Sequence, residues 1–90
     1  MEFIYRVHAI ERMFQRDIYE THVEDIIKNG EIIESYLEDK PYPSFLVLGA
    51  SDSLALHVVY AKDDDNNIIV ITAYKPSLKK WQDDLKTRKV

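Results

Sequence analysis

The feature that most constrains this chain is a single change of apolar period at Gly30. Before it, Val7, Ile10, Met13 and Phe14, and then Val23, Ile26 and Ile27, recur at helical spacing. After it, apolar residues alternate or run in short blocks, the pattern of strands. One switch from period 3.6 to period 2 argues for helices followed by a sheet, not for alternating βαβ units.

The helical half predicts a first helix over about Arg6–Gln15 and a second over about Tyr19–Asn29. Asp17 breaks the pattern between them, and Gly30 is read as a left-handed C-terminal stop. On the first helix Val7, Ala9, Ile10, Met13 and Phe14 form the apolar side. His8, Glu11, Arg12 and Gln15 lie opposite, with Arg16 at the boundary. The second half predicts strands Glu31–Leu37, Ser44–Ala50, Leu54–Lys62 and Ile68–Tyr74. The links Ser51–Ser53 and Asp63–Asn67 are of hairpin length, so an antiparallel meander is the economical topology. Pro76 ends the last strand and Ser77 can cap a third helix over about Leu78–Lys86. The expected architecture is α+β in the order ααββββα: two N-terminal helices, a four-stranded antiparallel meander and a C-terminal helix, in one domain spanning 1–90.

The strands constrain the packing further. Leu54, Leu56, Val58 and Tyr60 share one face of the third strand, while Ala55, His57, Val59 and Ala61 share the other. The last strand is also apolar on both faces. A half-exposed antiparallel sheet alternates cleanly, so the second face must be covered by the third helix, a partner subunit or a ligand.

Composition excludes whole classes. With no Cys, a disulfide-stapled module, a zinc–thiolate finger and a cysteine nucleophile are ruled out. No apolar run approaches the roughly 18 residues of a membrane span, and no basic-then-apolar leader opens the chain. A soluble cytoplasmic domain with no membrane partner is expected. The net charge of −4 is unevenly spread. Residues 17–74 carry three lysines against twelve acids, net −9, whereas residues 75–90 carry six cations against two acids, net +4. Residues 1–16 hold three arginines against two glutamates, net +1. The two ends are therefore where an anion is welcome.

His8, Arg12 and Arg16 stand at i, i+4 and i+8 on the first helix, where side chains four apart are neighbours. An imidazole moves protons near neutral pH and guanidiniums bind phosphate oxygens with paired donors. A charged helix face is otherwise ordinary solvated surface. His57, mid-strand, is either bonded to a carbonyl or projects into a cleft as a second proton-transfer group. Tyr74 and Lys75, at the end of the last strand, can position a phosphate. Trp81 anchors the third helix on the sheet, and His22 reads as a surface residue. No metal site and no cofactor are expected. Asp63, Asp65 and Asn67 have the opening spacing of an EF-hand loop, but Ile68 and Tyr74 occupy its glycine and glutamate places.

The run Arg6–Ile18 (RVHAIERMFQRDI), with Tyr42-Pro43, Leu56–Val59, Ile71–Pro76 and Trp81, resembles a group of small bacterial domains of unknown function. Its wider relatives are similar to the RelE and BrnT toxins, whose fold is shared with barnase-like ribonucleases. Asp17 stands where that group commonly has Gly, and Asp tolerates the left-handed backbone such a turn needs. The resemblance implies a toxin-like, metal-independent endoribonuclease with His8, Arg12, Arg16, His57 and Tyr74 at matching motif positions. One imidazole would take the ribose 2′-hydroxyl proton and the other would protonate the leaving 5′-oxygen. RNA would be the substrate, and an antitoxin protein encoded nearby a partner. The alternative is a non-catalytic interaction module, forming a homodimer or holding a partner through the second sheet face at Val59, Ile68 and Val70.

Overall fold

The computed structural model describes residues 2–90. It contains β1 (Phe3–Tyr5), α1 (Val7–Gln15), α2 (Glu20–Asn29), β2 (Glu31–Tyr36), β3 (Ser44–Ser51), β4 (Leu54–Lys62) and β5 (Ile68–Tyr74). The strands form one sheet in the order β1-β5-β4-β3-β2. β2 through β5 pair antiparallel in chain order. The sheet as a whole is nevertheless five-stranded and mixed, because β1 adds a parallel edge, pairing Phe3, Ile4 and Tyr5 with Ile68, Ile69 and Val70. Three residues are too few to display a period, so this strand left no signature of its own.

At the C-terminus the expected third helix over Leu78–Lys86 does not form. Ser77 does cap a turn, its hydroxyl accepting the Lys79 N–H at 3.1 Å, but the turn does not propagate. The Asp84 carboxylate accepts the N–H groups of Lys86 and Thr87 at 3.0 and 2.9 Å, offering the backbone a local alternative to helix. Leu85 lies at φ 61, which no helix accommodates. The segment doubles back instead, with Trp81 bridged to Arg88 and Gln82 N–H bonded to Thr87 O at 2.8 Å.

The helices cover one sheet face. Ala9, Met13, Val23 and Ile26 pack with Val47, Leu56, Val58, Ile68, Val70 and Ala73 in a continuous core. Ile68 and Val70 thus lie inside the molecule, not on a face open to a partner. The opposite face carries Leu46, Leu48, His57 and Tyr74, and the irregular C-terminal segment lies over it through Trp81. The covering that the two-faced strands required comes from the chain itself.

Local backbone chemistry follows the sequence in most places. Asp17 adopts φ 56 between the helices. Asp52 and Ser53, both at positive φ, turn the β3–β4 hairpin as a two-residue primed turn requires. Gly30 departs from expectation: at φ −81 it is extended. It is needed for close approach, since a Cβ there would lie 2.5 Å from Ile26 O and 2.7 Å from Leu48 O. Gly30→Ala is expected to destabilise the protein by about 1–3 kcal/mol, as overpacking against immobile backbone does. A denaturant midpoint equal to wild type would contradict this.

Candidate functional site

β1 pairs only the first three residues of β5, which leaves the rest of that edge without a strand beside it. α1 runs along this edge. The Arg6 N–H donates to Val70 O at 3.4 Å and the Arg16 guanidinium donates through Nη1 to Ala73 O at 2.9 Å. α1 buries only Ala9 and Met13 of its apolar side, so Val7, Ile10 and Phe14 stay exposed. That rotation brings Arg16 to the end of β5, beside Tyr74 and Lys75.

These three residues form one wall of a depression of about 410 Å³. The C-terminal segment supplies the other wall with Ser77, Lys80, Trp81 and Arg88. Four cations and no carboxylate line it, in a protein of net charge −4. Among the described residues Lys75 and Lys80 form no ion pair, whereas Arg88 grips the Glu34 carboxylate with two bonds of 2.8 and 2.9 Å. Its guanidinium also lies 4.6 Å from the Trp81 ring centre. Arg88 holds Glu34 below the usual carboxylate range, and Glu34 in turn keeps Arg88 firmly protonated. A larger concavity of about 630 Å³ near the chain end contains Asp83 and Asp84 beside Lys89, and those carboxylates disfavour an anion.

His57 lies directly behind the depression and is 0 % exposed. Its Nε2 is 2.6 Å from the Leu85 carbonyl, which can only accept, so Nε2 carries the hydrogen in the neutral ring. Nδ1 is then free to accept from the Tyr74 hydroxyl, 3.2 Å away. The Trp81 ring stands edge-on to the imidazole at 4.5 Å and seals it from water. Burial lowers the His57 pKa, opposed by the Leu85 carbonyl and the Glu34 charge. Burial likewise raises that of Tyr74. The pair is a neutral imidazole accepting from a neutral phenol, and Tyr74 is among the residues that line the depression. Leu85, strained at positive φ, aims the carbonyl that sets the tautomer.

Of the residues singled out from sequence, Arg16, Tyr74 and Lys75 converge and His57 adjoins them from beneath. His8 does not. It is exposed on α1, loosely opposite Glu11 at 3.9 Å, on the helix side of a sheet whose other face holds His57. The two imidazoles therefore face separate environments. Arg12 stands one turn before Arg16 on the same flank, outside the depression. Lys80 and Arg88 have no individual signal in the sequence beyond the +4 charge of their segment, and Ser77 reads there only as a helix cap. His22 is less of a surface residue than its acidic surroundings suggested. Its Nδ1 accepts the Tyr19 N–H at 3.2 Å and its ring stacks on Tyr19. Asp63 is occupied by its own turn, accepting from the N–H groups of Asp65 and Asn67 at 2.9 and 2.8 Å. Among the described residues no three His, Cys, Asp or Glu side chains are grouped as a metal needs, and no helix is long and apolar enough to cross a membrane.

No curated protein and no solved structure matches the sequence. A family description does, over residues 5–75, a span that takes in α1, the whole meander and the Arg16–Tyr74–Lys75 wall. With most of its length inside that match, the chain belongs to the family described as a domain of unknown function (DUF4258).

Proposed function

We propose that the depression seats a phosphodiester of an RNA strand and that the domain cleaves it by attack of the 2′-hydroxyl. Arg16, Lys75 and Lys80 hold the phosphate oxygens as charge grows on them, the electrostatic contribution that is usually largest in such reactions. Tyr74 replaces the absent second imidazole. Its oxygen takes the 2′-hydroxyl proton while its own proton passes to Nδ1 of His57. The 2′-oxygen bonds to phosphorus, the bond from phosphorus to the 5′-oxygen breaks, and the Lys75 ammonium protonates the leaving oxygen. The products are a 2′,3′-cyclic phosphate and a 5′-hydroxyl. Arg12 and His8, one and two turns back along α1, lie where the neighbouring phosphates of the strand would pass.

The observation that carries this reading is Tyr74, hydrogen-bonded to a buried imidazole, in a depression lined by Arg16, Lys75 and Lys80, which form no ion pair among the described residues, and by Arg88, which is paired with Glu34. The test is binding and cleavage of a labelled single-stranded RNA over a salt series with chelator present. With three to four phosphates neutralised, log affinity is expected to fall against log salt with a slope of about −2 to −3. The double variant Lys75→Glu/Lys80→Glu should lose at least tenfold in affinity. A flat salt response, or RNA binding indifferent to both reversals, overturns the binding site; salt-sensitive binding without strand cleavage overturns the chemistry.

A further inference from the structure

We propose that the exposed side of α1 is the contact face of a homodimer in which two copies pack α1 against α1, antiparallel across a two-fold axis. This is independent of the basic depression, because the face lies on the other flank of the helix.

Val7, Ile10 and Phe14, at i, i+3 and i+7, form an apolar stripe that the core does not use. Phe14 is 85 % exposed, and the Tyr19 ring beyond the helix end extends the patch. Scattered exposed apolar residues are ordinary, but a contiguous stripe of this size marks a contact surface. Beside Phe14 lies a largely apolar groove of about 360 Å³, floored by Met13 and Ile18 and flanked by Ile10 and Tyr19. A protruding ring adjacent to a groove that can accept one is what a self-complementary contact requires. Under a two-fold axis each Phe14 enters the other copy's groove, and the same contact is made twice.

Charge selects this occupant. The stripe begins at Arg6 and ends at Asp17 and Glu20, and among the described residues none of the three is ion-paired. An antiparallel second copy sets the Arg6 end of each stripe against the Asp17–Glu20 end of the other, and opposes the two helix dipoles favourably. The patch is built from only four apolar side chains, Val7, Ile10, Phe14 and Tyr19, small for an obligate interface. A reversible, concentration-dependent dimer is therefore expected.

Sedimentation velocity of the full chain across a hundredfold concentration range tests this. Wild type should shift from monomer to dimer, and Phe14→Glu should weaken the dimer at least tenfold while keeping the wild-type circular dichroism spectrum. Arg6→Glu and Glu20→Arg should each weaken it, and the double variant Arg6→Glu/Glu20→Arg should regain dimer, since the swap restores both cross-pairs. Three results each overturn the proposal: a monomer at every concentration, including one that associates only with a different protein; a dimer indifferent to Phe14→Glu; or charge variants whose combination brings no recovery.

Discussion

Tyr74→Phe is expected to lower the proposed RNA cleavage by about 10²–10⁴-fold, the usual consequence of removing one proton-transfer group. The ring still packs against His57, whose centre is 5.3 Å away, so folding and RNA affinity should stay close to wild type. The pH profile gives a second readout. The relay needs Nδ1 of His57 unprotonated. Burial favours the neutral ring and moves its pKa below the ordinary 6.5. Falling pH fills Nδ1 with a proton and stops the transfer, so cleavage is lost on an acid limb whose midpoint lies below pH 6.5. The residual activity of Tyr74→Phe should lack that limb. Full activity without the hydroxyl, or an acid limb at or above pH 6.5, would remove Tyr74 and His57 from the reaction.

The largest effect on stability is expected at Trp81. It is the one buried residue of the segment 75–90, only 2 % exposed, and it holds that segment on the sheet face bearing His57. Trp81→Ala removes a large buried ring and should cost about 3–5 kcal/mol. That is a substantial part of the roughly 5–15 kcal/mol by which domains are stable. Urea unfolding measures the loss. Limited proteolysis should show new cleavage between Pro76 and Val90, with Trp81→Phe intermediate because it keeps an aromatic edge on the imidazole. An unchanged midpoint would mean that the segment does not contribute to the fold. Trp81 also forms part of the depression, so the same substitution should weaken RNA binding through lost placement of Lys80 and Arg88.

Both helices and the strands β2 to β5 were legible as elements, although the sheet they enter is five-stranded and mixed, not the expected four-stranded antiparallel meander. α2 ends at Asn29 and α1 at Gln15, as their periodicity indicated, and each begins one residue later than expected. β4 and β5 keep the expected bounds. These elements announce themselves because their stabilising contacts repeat at a period the sequence displays. β1 does not, since its three residues become a strand only when β5, more than sixty positions away in the chain, lies alongside. The Leu78–Lys86 helix failed for the converse reason. Its local pattern permits helix, but the Asp84 turn and the burial of Trp81 on the sheet stabilise a different path.

The candidate site divides along the same line. Composition and spacing alone determined that cations gather at the two chain ends and that the second sheet face must be covered, and they made His8, Arg12 and Arg16, with Tyr74 and Lys75, the candidates for holding a phosphate. Only the tertiary structure decided which cations meet, that Tyr74 rather than His8 stands against His57, and that three of the five apolar residues of α1 face outward. The rotation of a helix about its own axis is set by what it packs against. Two helix faces that are equally plausible on a wheel are therefore separated only once the sheet beneath them is in place.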